Sequence, residues 1–153
     1  HRYRGATRLL GGNETHPSDL SHDTTSYFQA LITEYLTHRP DALIVQLHGY
    51  DHDELRERDI GLVLSDGSSD PADHVRDVRG RLEGVFDDWE VALYSEETDR
   101  YGATANAQGQ WMRRFDHGRF LHVELIREVR DTLEEGDSEL QAIGEAIVGT
   151  DDS

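Results

Sequence analysis

The residues of this chain whose types and spacing could do chemistry are Asp19, His22, His48 and Glu124. With no cysteine present, thiolate nucleophiles, disulfides and Cys-based zinc sites are excluded, and any metal must be held by histidine and carboxylate. A mononuclear zinc hydrolase needs three such ligands and leaves one position for a water, whose pKa the metal lowers to about 7. A further carboxylate outside the ligand set then takes that water's proton. Asp19 and His22, three residues apart, can face the same way on a helical turn and chelate as a pair. His48 at the end of an apolar run supplies the third ligand, and Glu124 is the proton-accepting carboxylate. His1 and Asp51 compete for the first two ligand positions, Asp51 through its HxxD spacing from His48. His122 alternates with Leu121 and Val123 and so shares a face with Glu124, and it reads as a hydrogen-bonded core histidine. His16, His38, His74 and His117 read as surface residues, and His52 and Asp53 as solvated loop. No GxSxG-like elbow is present to support a metal-free serine hydrolase.

These side chains need a scaffold, and the hydrophobic pattern describes one. ALIVQLHGYD, Ala42 to Asp51, reads as a buried strand that delivers polar groups to a sheet edge. Thr24 to His38 carries Tyr27, Phe28, Leu31, Ile32, Tyr35 and Leu36 at helical spacing, with Asp23 or Thr24 as cap and Pro40 as stop. Asp51 to Asp59 is a loop or a single helical turn. Ile60 to Leu64 is a second strand, Asp70 and Pro71 open a helix running to about Phe86, and Glu90 to Tyr94 is a third strand. Ser95 to Gly118 has no clear period and reads as a long functional loop. Arg119 to Glu124 is a fourth strand, with Glu124 at the sheet edge, followed by helices over Leu125 to Leu133 and from Asp137 or Ser138 to Val148. The alternation predicts an α/β fold: a single three-layer domain over residues 1–150, with a mostly parallel sheet of four or more strands flanked by helices, and a frayed tail at 151–153.

Composition narrows the setting. The chain has 153 residues, which suits one domain with a real core, and 32 acidic against 15 basic residues, net −17. Every basic residue is arginine; there is no lysine. Acid excess without lysine resembles the proteins of salt-accumulating halophiles, whose carboxylates are screened by molar salt at a Debye length of about 3 Å. Most carboxylates are then solvation devices. The charge argues against nucleic acid, and no apolar run of membrane-spanning length or signal-peptide pattern is present, so a soluble protein is expected, cytoplasmic or secreted as a processed chain. The first residue is His1, which implies that something upstream has been removed. HRYRGATRLL concentrates arginines that either pair with surplus carboxylates or meet an anionic substrate group.

LHGY at a strand end resembles the strand-terminal histidine segment of zinc carboxypeptidases, and FLHVELIREVRDTL resembles their late strand bearing the general-base glutamate. The second motif is also similar to that of N-formylglutamate amidohydrolases and phage poly-γ-glutamate hydrolases, which share the zinc-exopeptidase type of α/β fold. The resemblance covers about a third of the chain. Residue by residue, it makes His48 the later metal histidine and Glu124 the general base. Where those families place HxxE, this chain has Asp19-Leu-Ser-His22, the reverse order. The resemblance implies zinc as cofactor and, as substrate, a small molecule or peptide with an amide near a free carboxylate. Arg2 and Arg4 are then the carboxylate clamp, and Asn106 and Gln108 polar substrate contacts. Tyr50 or Tyr101 either donates to a developing oxyanion or packs in the core or rim. The competing expectation is a non-catalytic α/β binding or assembly domain with structural histidines.

Overall fold

The computed structural model describes residues 8–10, 13–15, 25–86, 88–116 and 118–149. Arg8–Leu10 (β1) and Asn13–Thr15 (β2) pair antiparallel. After Tyr27–His38 (α1) come Leu43–Tyr50 (β3), Asp53–Arg56 (α2), Ile60–Ser65 (β4), Asp73–Leu82 (α3) and Glu90–Leu93 (β5). Ala107–Phe115 (α4), Arg119–Ile126 (β6), Arg127–Glu135 (α5) and Asp137–Val148 (α6) complete the order. The protein is an α/β fold, as its alternating pattern predicts, with a four-stranded sheet in the order β3-β6-β4-β5.

Strand direction decides which ends can share a site. β5 runs parallel to β4, and β6 antiparallel to it. β3 runs parallel to β6: the Arg119 amide at the start of β6 donates to the Ala42 carbonyl just before β3, at 2.8 Å, and farther along both strands the His48 ring lies against His122. Two of the three pairings are therefore parallel. The carboxyl ends of β3 and β6 lie together, opposite those of β4 and β5.

Packing groups the chain into two compact units, His1–Ile44 with Thr104–Phe120, and Val45–Ala103 with Leu121–Ser153. In the first, Ser26 caps α1 by accepting from the Gln29 amide at 3.2 Å, and Ile32 and Leu36 are buried. Tyr27, Leu31 and Tyr35 are exposed. Gly118, at φ +65°, leads into β6, and a Cβ there would fall 2.8 Å from the Ala42 carbonyl oxygen, so both conformation and space call for glycine. The long stretch before it contains a helix that periodicity does not show. α4 buries Ala107, Gln108, Gly109 and Met112, a set with almost no apolar stripe.

The second unit holds the larger core. Every residue of β4 is buried, and β6 is buried from Phe120 to Ile126. The strand outlasts Glu124 because Leu125 pairs with Leu62, which delays α5 until Arg127. α3 begins at Asp73 rather than at Asp70: the Asp66 carboxylate accepts from the amides of Ser68 (2.9 Å) and Ala72 (3.1 Å), shaping the turn through Pro71 before the helix starts. Arg81 Nε ties α3 to α6 by donating to the Ala146 carbonyl at 2.7 Å.

Some arginines gather more than one carboxylate on this surface. Arg56 takes Asp51, Asp53 and Glu128; Arg79 takes Glu83 and Glu97. With 15 arginines for 32 acids, most of the repulsion is left to solvent ions. Lowering salt from about 1 M to about 0.01 M stretches the Debye length from about 3 Å to about 30 Å, so self-repulsion should destabilise the fold. Thermal melts in potassium chloride should show the melting temperature falling steadily with dilution, and a salt-independent midpoint would contradict this.

Candidate metal centre

Alternation along β3 sends Gln46, His48 and Tyr50 to one face, and along β6 sends Phe120, His122 and Glu124 to one face. Because β3 and β6 are neighbours, the two sets meet. His48, His122 and Glu124 each offer one ligand atom, and these atoms lie within 4.8 Å of one another. The His48 and His122 ring centroids are 4.6 Å apart, and His122 Nε2 stands 3.6 Å from Glu124 Oε1. A tetrahedral zinc with bonds of about 2.0–2.2 Å would set neighbouring donors about 3.4 Å apart. Little movement separates the group from that spacing.

Glu124 does not stand at its strand's end, because β6 continues through Ile126; it is only 8 % exposed, and His122 only 5 %. Burial pushes the Glu124 carboxyl up to about 7, opposed by the charge of Arg130. Burial also pushes His122 down to about 3, with a further contribution from His48. His122 is thus a neutral imidazole throughout the neutral range, which leaves a ring nitrogen free to bind a cation. His122 Nδ1 and Glu124 Oε2 are buried without a hydrogen-bond partner. Unmatched buried polar atoms are costly, and two on adjacent groups of one cluster are what a cation would satisfy. These residues could hold a metal ion.

The surroundings fix the group from several sides. Ser65 pairs across the sheet with His122, and Val63 with Glu124. Tyr50 donates to the Ile60 carbonyl at 2.6 Å, and its phenol is held above its ordinary pKa by burial, with Tyr101 and Glu124 adding to the effect. On the opposite face of β3, Arg130 lies across Gly49, where a Cβ would come 2.6 Å from its Cζ; the guanidinium fits beside the histidine strand because residue 49 has no side chain.

His48 and Glu124, expected from the sequence as parts of one site, do stand together. His48 is inside β3, two residues before its end, since the strand continues through Tyr50. His122, expected as a hydrogen-bonded core histidine, instead has its Nδ1 buried without a partner and is the third member of the group; the face it shares with Glu124 is legible in the alternation. Asp51 is exposed beyond β3, where hydrogen bonding from Arg56 holds its carboxyl below the usual range, and it is not in the group. His52 is only half exposed; its Nδ1 is buried without a partner and its ring meets Tyr101 edge-on at 6.2 Å. Asn106 and Gln108 are both buried, and Asn106 Oδ1 caps α4 by accepting from the Gly109 amide at 2.9 Å. Asp19, His22, Arg2, Arg4 and His1 lie outside the described residues. Among the described residues no helix is long and apolar enough to cross a membrane.

Fold and site together define an α/β protein with two histidines and a carboxylate converging on adjacent strands. The chain matches no protein-family model, no curated protein and no solved structure.

Proposed function

We propose that this chain is a zinc-dependent hydrolase that cleaves an amide or peptide bond near a free carboxylate. The observation that carries the reading is the convergence of His48, His122 and Glu124 within 4.8 Å in a buried setting, with two of their polar atoms unpartnered. Two imidazoles and a glutamate are the donor set of catalytic zinc in several peptidases. Bound there, zinc would lower the pKa of a water to about 7 and polarise a carbonyl.

The chain's own residues supply the rest. His48 and His122 reach the ion from neighbouring strands whose backbones are locked by the sheet, so the two rings are positioned before any ligand arrives. Glu124 adds the third donor, a carboxylate buried beside His122. Oε1 faces His122, while Oε2 has no hydrogen-bond partner. The carboxylate on the substrate and the salt-adapted setting follow from the resemblance to zinc exopeptidases and from the acid-rich, lysine-free composition.

The test is hydrolysis of N-acyl amino acids and γ-glutamyl peptides in molar potassium chloride, with amino-acid release read by mass spectrometry. Zinc-loaded protein should release free amino acid, and His48→Ala should bind zinc about a hundredfold more weakly and lose turnover. One equivalent of zinc with no turnover on any such substrate would favour the competing reading of a binding or assembly domain. Turnover unaffected by His48→Ala would sink the proposal.

A further inference from the structure

The loop after β5 is held in an unusual shape. Ser95, Tyr101 and Ala103 all adopt left-handed backbone, with φ of 71°, 60° and 51°. Non-glycine residues pay strain there, and a bulky aromatic pays it only where its surroundings hold it. Around Tyr101 the fastenings are specific. Ser65 Oγ, on the residue paired across the sheet with His122, donates to the Gly102 carbonyl at 2.6 Å. Gly102 packs directly against the Tyr94 ring with no room for a Cβ, and Arg100 pairs with Glu54 at 3.0 Å. The Tyr101 ring stacks on Tyr50 at 4.7 Å between centroids, and Tyr50 projects from the same face of β3 as His48.

The strained turn therefore delivers one phenol to the face that carries the histidines and Glu124. The two tyrosines differ in what remains free. Tyr50 spends its hydroxyl on the Ile60 carbonyl, whereas no hydrogen bond engages the Tyr101 hydroxyl among the described residues. Burial raises the Tyr101 pKa, and Glu124 raises it further, which keeps the group protonated as a donor.

We infer that Tyr101 is a catalytic residue of the proposed site, donating its hydroxyl hydrogen bond to the carbonyl oxygen of the bond being cleaved as negative charge develops there. The inference rests on the metal-site reading above. A donor preorganised beside an ion in a water-poor site stabilises such charge strongly, and removing one oxyanion donor typically costs about a hundredfold or more in turnover.

Acetohydroxamate, a small oxyanion that binds zinc, probes the inference without knowledge of the substrate. Calorimetry on zinc-loaded protein should show Tyr101→Phe binding acetohydroxamate about tenfold more weakly than the parent, because a hydrogen bond to a charged oxygen is worth about 1.5 kcal/mol or more. Zinc affinity, read by competition with a chromophoric chelator, should be unchanged, since phenylalanine keeps the stack on Tyr50. Equal hydroxamate affinity in the two proteins overturns the role of Tyr101 and leaves the metal site standing. Loss of zinc along with hydroxamate binding in Tyr101→Phe would make the residue structural, which also overturns the inference. A parent protein that takes up no zinc defeats both readings.

Discussion

Glu124→Gln should make the metal-free protein more stable above pH 7 and at the same time remove its affinity for zinc. The glutamate pays for its position: its pKa rises from 4.5 to about 7 on burial, so the folded state favours the protonated form. A displacement of that size corresponds to about 3 kcal/mol lost once the group is forced to ionise in place. Glutamine is neutral at every pH and avoids this loss. In a domain of this size about 3 kcal/mol is roughly 6–12 °C in melting temperature. In the presence of zinc the order should reverse, because an ion held at a thousand times its dissociation constant adds about 4 kcal/mol to the native protein alone.

The shape of the pH profile separates Glu124 from its neighbour. A carboxyl whose folded pKa is raised contributes stability that is complete below 4.5 and lost as pH climbs through about 7. For His122 the folded value is depressed from 6.5 to about 3, so its contribution is complete above 6.5 and lost as pH falls through about 3. Between 4.5 and 6.5 the two slopes have opposite sign and offset one another. Considering these two groups, metal-free parent protein should gain stability from about pH 3 to 4.5, stay level to about 6.5, and lose some by about 7. Glu124→Gln should instead gain from about pH 3 to 6.5 and stay level above. Urea melts across this range measure both curves, and superimposable profiles would show that Glu124 is not desolvated in the native state.

How far the sequence disclosed this site depends on which interactions are local. The β3 and β4 runs, ALIV and IGLVL, are apolar and bounded by polar or turn residues, so strands and their alternation with helices were readable. His48 was conspicuous as the first titratable side chain after an apolar run, and the common face of His122 and Glu124 follows from the two-residue period of a strand. What no local pattern contains is that β6 inserts between β3 and β4, parallel to one and antiparallel to the other. That insertion brings His122 to His48 and makes Glu124 central. α4 escaped for a different reason: Asn106 and Gln108 looked like loop polar groups, yet one is a helix cap and the other a fully buried side chain. Asp51 shows the converse error of spacing, since its HxxD relation to His48 is undone by Arg56, which draws it into a surface cluster with Asp53 and Glu128.

The second large effect concerns His122 itself. A core histidine chosen for packing could be exchanged at some cost in stability with no consequence for metal. As a ligand it carries a share of the binding energy: structural zinc sites are worth about 10–16 kcal/mol over four ligands, so one imidazole accounts for about 3 kcal/mol, or a factor of about a hundred. His122→Ala should leave the strand in place, because its neighbours Leu121 and Val123 are fully buried on the other face. Calorimetric zinc titration of the parent beside His122→Ala tests the central claim most directly. The account predicts one zinc per parent chain and an affinity about a hundredfold lower in the variant. A parent that binds no zinc, or a variant that binds it equally well, would contradict it.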